Sequence, residues 1–347
     1  MRHKSVDPEF FTRNRERLRS CLRPGSVVIL HSNDVYPTDA DGTMAFRQNS
    51  DLFYLTGVDQ EETILLLMPD AVNPQDREIL FIRETNEHIA VWEGEKLGKE
   101  QAKKLTGITR VEWTSVFDSI FHRLMPQAVR VLLETNEHSR ATPLVETRNA
   151  RFIKSCQAVY PLHRYERLAP IMHRLRMIKQ EPEVQMIRRA CDITGAGFKR
   201  LLGFIKPGVG EWEIEAELLH EFVRSGSRGF AYTPIIGSGK NSCVLHYVKN
   251  DQVCREGELV LLDVAAEWGG WNADMTRTIP ISGRFSKRQR QVYDAVLRVF
   301  CGANELLRPG NDPTEYQKQV LLLMERELVN LELFSNKEAA AQGPDKA

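Results

Sequence analysis

The sequence predicts an α/β domain followed by an α+β domain. Its length of 347 residues suits about two domains. The first half alternates short apolar runs with helical stretches, which is typical of an α/β domain. Around residues 174–182 the pattern changes, and apolar residues begin to recur at helical spacing. We therefore predict an amino-terminal domain over residues 1–173 and a second domain over residues 174–347.

The first half contains four apolar runs of strand length, namely SVVILHS, ETILLLMP, EILFIR and VRVLLET. Helical stretches are predicted near residues 8–22, 98–106, 115–125 and 143–156. The alternation of the two kinds of segment is the basis of the α/β prediction.

The second half begins with a helix behind Pro182, because proline favours the first helical turn. Apolar residues recur there at helical spacing, namely Val184, Ile187, Ala190 and Cys191. Further helices are predicted near residues 211–225, 286–307 and 313–331. Ser286 and Gln289 have the spacing of a capping box, which marks the start of the second of these helices.

The composition excludes several classes of protein. Basic and acidic residues balance, 47 against 47, so we predict no binding to nucleic acid or to an anionic membrane surface. The amino terminus lacks the apolar core of a signal peptide, and no run approaches the length of a membrane span. The six cysteines form no CxxC pair, so we expect reduced, mostly buried thiols in a cytoplasmic protein.

Two carboxylates flank a Trp-Gly-Gly-Trp turn in the stretch LLDVAAEWGGWNADMTRT. The alternation of apolar and polar residues and the central glycines indicate two antiparallel strands. A four-residue loop over 267–270 would set Asp263 directly opposite Asp274, at roughly 5 Å. Any loop of even length keeps the two side chains on one face.

Like charges in that position repel, so either a cation lies between the two aspartates or one of them holds a proton. The alternative is two acids that face solvent. The near-continuous apolar run around Asp263 argues against it, because such a run suits a strand buried on both faces. A buried unpaired carboxylate is costly. Carboxylate ligands suit Mg²⁺, Mn²⁺ and similar ions, and shared carboxylates can hold two of them.

Three other motifs carry weaker signals. Residues 237–240, Gly-Ser-Gly-Lys, lack the spacing of a phosphate loop. The basic cluster over 284–290 indicates the exposed first turns of a helix. His246 precedes the Asp263 strand and could donate a proton beside a metal, although a lone histidine is more often structural.

Two blocks of the second half resemble the pita-bread metallopeptidases, and most closely the aminopeptidase P family, namely PIIGSGKNSCVLHYVKN and ELVLLDVAAEWGGWNADMTRTIPISGRFSKRQRQVYDAVL. In the first half, FRQNSDLFYLTG and VWEGEKLG are similar to the amino-terminal domain of that family. The resemblance implies a creatinase-like amino-terminal α/β domain followed by an incomplete pita-bread domain. Creatinases lack the metal-binding aspartates, and methionine aminopeptidases do not resemble this first half.

The resemblance also implies roles for individual residues. Asp263 and Asp274 match ligands of a dinuclear centre, usually two Mn²⁺ ions, with other divalent ions as alternatives. His246 matches a histidine that assists breakdown of the tetrahedral intermediate. Trp92 lies in a segment that reaches the active site of a neighbouring subunit in oligomeric relatives, and a core tryptophan is the alternative. The implied partners are proline-containing peptides and further copies of the chain, in a homo-dimer or homo-tetramer.

The chain departs from the family after the second aspartate. The family also uses a histidine in a His-Gly motif and two glutamates, but here no histidine follows His246. We expect a fragment, since half a packed layer would leave strand edges uncovered; a naturally shortened, inactive relative is the alternative. The predicted function of the parent is removal of the amino-terminal residue from peptides with proline second, with this chain itself inactive. A non-catalytic pita-bread module that binds peptides or proteins is the second hypothesis.

Overall fold

A computed structural model describes residues 6–138 and 144–334. These residues divide into two compact units. The first unit ends at Ala190 and also includes Glu267–Asn272, and the second unit starts at Cys191 and contains the other described residues. Among the residues described, no helix is both long and apolar enough to cross a membrane.

In the described part of the first unit, six strands form one mixed sheet in the order β4-β3-β2-β1-β5-β6. β2 pairs antiparallel with both β1 and β3, and the other neighbours pair parallel. The strands are β1 (Ser26–His31), β2 (Ile64–Leu67), β3 (Glu78–Ile82), β4 (Val111–Trp113), β5 (Arg130–Leu133) and β6 (Arg164–Arg167).

The four inner strands of this sheet, β1, β2, β3 and β5, are buried on both faces, which explains the unbroken apolar runs of the sequence. In β1, Val28 and Leu30 pack into one core, whereas Val27 and Ile29 pack into the other. Alternate residues of a strand point to opposite faces, so a sheet covered on both sides requires apolar residues at every position. The α/β prediction for the first half is confirmed.

Helices supply the cover on both sides. Phe10 and Leu18 of α1 contribute to the core that contains Val28, and Phe117 and Phe121 of α5 contribute to the other. Three predicted helices are confirmed as α1, α4 and α5; the fourth is α6, and residue 143, its predicted start, lies outside the described residues. The helices that begin in the first unit are α1 (Pro8–Ser20), α2 (Ser50–Thr56), α3 (Glu87–Glu93), α4 (Lys99–Thr106), α5 (Phe117–Leu124), α6 (Arg148–Val159), α7 (Ala169–Met177) and α8 (Glu181–Leu201), and the residues of α8 from Cys191 onward belong to the second unit.

The described part of the second unit contains an antiparallel sheet in the order β11-β8-β7 and a pair of packed carboxy-terminal helices. Ser286 caps the first of these helices in the predicted capping box, with Gln289 as the reciprocal partner. Arg298 and Glu327 join the two helices by an ion pair of 2.6 Å. The elements are α9 (Glu211–Arg224), β7 (Ile235–Ser238), β8 (Leu259–Asp263), β11 (Thr276–Pro280), α10 (Lys287–Leu306) and α11 (Pro313–Asn330).

A short two-stranded hairpin completes the first unit. It consists of β9 (Glu267–Trp268) and β10 (Trp271–Asn272). The indole ring of Trp271 packs against Phe53 and Phe10, with ring centroids 5.8 and 6.3 Å apart. This contact anchors the tip of the Trp-Gly-Gly-Trp turn in an apolar environment.

The prediction of mostly buried cysteines is wrong. Cys156 and Cys254 are buried, whereas the other four thiols are exposed, and all six are free. On α8 the buried stripe contains Ala190, Ile193 and Leu201. Cys191 follows Ala190 by one residue, a rotation of about 100° on a helix of 3.6 residues per turn, and therefore leaves the buried face.

Candidate metal centre

The register of the hairpin decides where its two carboxylates lie. β8 pairs with β11 so that Asp263 is opposite Thr276, and in the same register Trp268 is opposite Trp271. The loop therefore contains two residues, Gly269 and Gly270, rather than the predicted four. Both glycines have positive φ, 61° and 90°, and two such residues form the favoured two-residue hairpin turn.

The prediction that Asp263 lies directly opposite Asp274 is therefore wrong. Asp274 lies two residues before Thr276 and is a diagonal neighbour of Asp263, a position that separates Cα atoms by roughly 7–8 Å. The two side chains nevertheless share one face, as predicted, because the observed and predicted loops are both of even length.

The hydroxyl group of Tyr232 lies between the two carboxylates. It is 2.6 Å from Oδ1 of Asp263 and 3.3 Å from Oδ1 of Asp274, so the two carboxylate oxygens are no further apart than the sum of these distances. A hydroxyl has one proton, and the shorter distance indicates donation to Asp263. Burial raises the pKa of Tyr232, and its hydrogen bond to Asp263 and the negative charges of both aspartates raise that pKa further.

Tyr232 is a residue of the site that the sequence did not predict. The segment before β7 lies beside the end of β8, with the Ala231 N–H donating to the Ala265 carbonyl at 2.8 Å and Ile235 opposite Asp263. The only signal in the sequence was a tyrosine three residues before the apolar pair of β7. The pairing of β7 with β8 spans more than twenty residues, and local spacing does not predict it.

The expectation that the Asp263 strand is buried on both faces is wrong. Val260 and Leu262 are buried, whereas Leu259, Leu261 and Asp263 are half-buried on the other face. Asp274 is exposed. An apolar run identifies a strand but does not determine what packs on each side of it. The carboxylates are consequently open to solvent and to dissolved ions.

His246 lies in the loop between β7 and β8 and is exposed. Tyr247 anchors this loop, because its buried hydroxyl lies 2.8 Å from Oε2 of Glu211. Asn250 anchors it a second time: its side-chain oxygen accepts from the Ile236 N–H at 3.0 Å. Within the described part of the chain, no hydrogen bond or ion pair joins His246 to either aspartate.

The side chain of Glu211 holds this loop through hydrogen bonds. The sequence did not predict this role. Glu211 is fully buried at the start of α9 and accepts hydrogen bonds from the Ser238 N–H and hydroxyl, both at 2.7 Å. The Gln252 N–H donates to its other oxygen at 3.0 Å. Four donors, including Tyr247, satisfy the buried carboxylate and tie α9, β7 and the His246 loop together.

Trp92 lies on α3 in the first unit and exposes 78% of its surface. The alternative of a core tryptophan is therefore wrong. Its ring lies beside His88, with centroids 6.3 Å apart, and α3 contains no buried residue. The helix presents an apolar side chain to solvent, which suits contact with another molecule.

The donor set at the hairpin consists of two carboxylates and a tyrosine hydroxyl. Over residues 6–138 and 144–334, no group of three or more His, Cys, Asp or Glu side chains is arranged to hold a metal ion. Oxygen donors of this kind are those that hard divalent cations prefer, so the two aspartates fit a part of such a ligand set.

Comparisons with known proteins agree over almost the whole chain. The model of metallopeptidase family M24 matches residues 185–338, and that of the aminopeptidase P N-terminal domain matches residues 11–132. The Xaa-Pro aminopeptidase of Escherichia coli (strain K12) is 32% identical over 327 residues, which are 94% of this chain and 74% of that protein. The Xaa-Pro aminopeptidase of Haemophilus influenzae is 29% identical over 323 residues, 93% of this chain and 72% of that protein.

A solved structure of an E. coli aminopeptidase P variant in complex with substrate has the same fold. It matches with a TM-score of 0.86 at 30% sequence identity, and the match covers 98% of this chain and 78% of that one. The pita-bread fold predicted for the second half and the creatinase-like fold predicted for the first are confirmed.

Proposed function

Because the chain belongs to the aminopeptidase P family of metallopeptidases, we propose that the protein, once its metal centre has a complete set of ligands, removes the amino-terminal residue from peptides whose second residue is proline. The observation that carries this proposal is the meeting of Asp263 and Asp274 at one hydroxyl group, in the segment that matches the metallopeptidase model. The substrate class comes from the similarity to the E. coli relative, which is named an Xaa-Pro aminopeptidase.

Asp263 and Asp274 are the residues proposed to hold the metal. Their carboxylates converge on one point from the same face of the hairpin, and a cation there would relieve their mutual repulsion. We propose Mn²⁺, with two ions in the complete centre, because carboxylate oxygens suit this ion. Such a pair of ions, when bound, lowers the pKa of a water molecule and polarises the peptide carbonyl.

His246 is the proposed proton donor. The nitrogen of an Xaa-Pro bond carries no hydrogen, and it must gain a proton when the bond breaks. Histidine is the side chain that most often supplies protons in enzymes. The loop anchored by Tyr247 and Asn250 leaves the His246 side chain exposed, so that it is accessible to a bound peptide while the backbone on its carboxy-terminal side is held.

Trp92 is proposed to contact substrate bound to a neighbouring copy of the chain, in a homo-dimer or homo-tetramer. Val91 and Trp92 expose 82% and 78% of their surfaces on adjacent positions of α3. Aromatic side chains of this kind contribute strongly to contacts between molecules once they are covered.

The two carboxylates do not by themselves make a complete two-metal centre. Metal affinity and water activation depend on the number of ligands and on a shaped, dry cavity. We therefore expect the 347-residue chain alone to bind Mn²⁺ weakly and to hydrolyse no peptide, and catalysis to require further ligands. The competing function is that of a non-catalytic module that binds peptides. The following assay distinguishes binding alone from hydrolysis.

The test is a pair of peptides that differ only in having proline or alanine second. The protein is purified as its source produces it and is assayed with added Mn²⁺ on both peptides. We expect hydrolysis of the Xaa-Pro peptide and not of the Xaa-Ala peptide. Equal turnover of the two peptides contradicts the proposed specificity. Saturable binding of the Xaa-Pro peptide without any cleavage supports the binding module instead.

A further inference from the structure

A cavity of about 340 Å³ lies in the first unit and takes no part in the proposed peptidase chemistry. Its walls come from residues directly after β1, from the turn between Tyr36 and Met44, and from the start of α6. Two backbone hydrogen bonds of 2.9 Å close the turn, from Met44 N–H to Tyr36 O and from Thr38 N–H to Gly42 O. Volumes of this size hold small organic ligands.

Arg148 places a half-buried cation in the cavity wall. Its guanidinium donates a hydrogen bond of 3.1 Å to Oγ of Ser32, a neutral acceptor. Among the residues that the structure describes, its side chain forms no ion pair with a carboxylate. Burial lowers the pKa of Arg148, and attraction to Glu62 and Asp34 opposes this effect. A partly buried charge that forms no ion pair is unfavourable, and a bound anion would supply the pair.

Asp34, the acid of the cavity wall, already has partners. One of its oxygens accepts a hydrogen bond of 2.7 Å from the backbone N–H of Arg148, and the other accepts from the guanidinium of Arg151. Arg47 adds a second cation to the wall at an exposed position. The residues that line the cavity therefore carry two positive charges, those of Arg47 and Arg148, and one negative charge, that of Asp34.

We propose that this cavity binds a small organic oxyanion, a carboxylate or a phosphate, with Arg148 as its anchor. A guanidinium can hold two oxygens of such a group through parallel hydrogen bonds. The amides of Asn33 and Asn149 lie in the same wall and can donate further hydrogen bonds. Met44 and the ring of Tyr36 offer an apolar surface to the carbon part of the ligand.

The test is isothermal titration of the 347-residue chain with three probes. Inorganic phosphate represents the phosphates and benzoate represents the carboxylates. Benzamide is the neutral analogue of benzoate. We expect saturable binding of phosphate, benzoate or both, and none of benzamide. Arg148→Met should weaken that binding at least tenfold. Arg174→Met removes the same charge from an exposed position on α7 and should leave it unchanged.

A second variant keeps the test decisive if Arg148→Met does not fold. Ala45 lines the cavity from an exposed position, so Ala45→Trp fills the space without changing any charge. It should also weaken oxyanion binding at least tenfold. The proposal is overturned if neither phosphate nor benzoate binds saturably, if benzamide binds as well as benzoate, or if a folded Arg148→Met or Ala45→Trp variant binds like the wild type.

Discussion

At the scale of single residues, the exposure of Trp92 favours a role in substrate contact over a role in packing. Because 78% of its surface is open to solvent, its replacement with Ala empties no packed site and should change the free energy of unfolding by at most about 0.5 kcal/mol. A tryptophan that contacts substrate should instead raise KM and leave kcat nearly unchanged.

Urea unfolding of the 347-residue chain measures the first effect, and Xaa-Pro kinetics of the protein as its source produces it measure the second, each with and without Trp92→Ala. Val91→Ala is the matched control, since it shortens an equally exposed neighbour on α3. A loss of several kcal/mol, the size typical of an emptied core site, would show that Trp92 serves packing. An unchanged KM would remove Trp92 from the proposed substrate contacts.

In the first unit, the carboxyl group of Glu134 has a raised pKa. Burial raises its pKa from 4.5 to about 7, and the charge of Asp51 adds to the effect. The Asn49 amide, which donates to both oxygens of Glu134 at 3.1 Å, and the charge of Arg176 oppose it. The folded chain therefore holds a proton on Glu134 at pH values at which the unfolded chain has released it.

The sign of the resulting pH dependence follows from this difference. Between about pH 4.5 and 7 the folded state binds more protons than the unfolded state, so Glu134 makes stability fall as the pH rises through this window. We expect Glu134→Gln, which keeps an acceptor for Asn49, to gain stability relative to the wild type over the same range. Urea unfolding at pH 5, 6, 7 and 8 measures both proteins, and parallel curves would contradict the assignment.

At the scale of single residues, the position of Tyr232 in the site could not be predicted from the sequence. The sequence indicated that two acids on one face need a cation or a proton between them. In the structure the hydroxyl of Tyr232 lies 2.6 and 3.3 Å from their oxygens and donates its proton in a hydrogen bond to this pair. Tyr232 reaches it because β7 pairs with β8, a contact between distant parts of the chain that residue spacing does not contain.

Among the elements, α3 depends on ion pairs rather than on packing. It contains no buried residue. Its last residue, Glu93, accepts two hydrogen bonds from Arg83, at 2.6 and 2.8 Å, and these bonds hold the pKa of Glu93 at about 2. Glu61 binds both Arg83 and Lys96, at 2.9 and 2.7 Å, and thereby ties the end of α3 to the sheet.

Arg83→Met should therefore loosen α3 without unfolding the first unit. Hydrogen exchange is the measurement, and we expect the amides of Glu87–Glu93 to exchange severalfold faster than in the wild type. Arg123→Met, which removes an ion pair with Asp76 elsewhere in the unit, should leave these amides unchanged. Unaltered exchange in Arg83→Met would mean that other contacts hold the helix.

The hairpin shows how far an element can be predicted from local sequence. The alternation of apolar and polar residues predicted its two strands. A loop of even length predicted that its two acids share one face. The register of the hairpin was not predicted, because loops of two and of four residues both keep the two acids on one face. The signal was present: paired glycines at positive φ favour a two-residue turn, and Gly270 also leaves room for Phe53, since a Cβ there would lie 2.6 Å from that ring.

At the scale of the whole molecule, the two-part α/β and α+β architecture was predictable because strand and helix periods differ. The four long apolar runs became strands of one sheet buried on both faces. Short elements such as α2, α3, β4 and β6 escaped prediction, since a few residues do not establish a period. The domain boundary between residues 173 and 174 stays a prediction, as do the roles of His246, Asp263 and Asp274.

The central claim is that Asp263 and Asp274 bind metal, and titration of the 347-residue chain with Mn²⁺, followed by the electron paramagnetic resonance of the free ion, tests it most directly. We predict weak saturable binding that is lost in Asp263→Asn and in Asp274→Asn. The control Asp192→Asn, which changes an exposed acid on α8, should bind like the wild type. Equal binding by the wild type and both hairpin variants would contradict the claim, and tight binding of two ions would contradict the argument from ligand number.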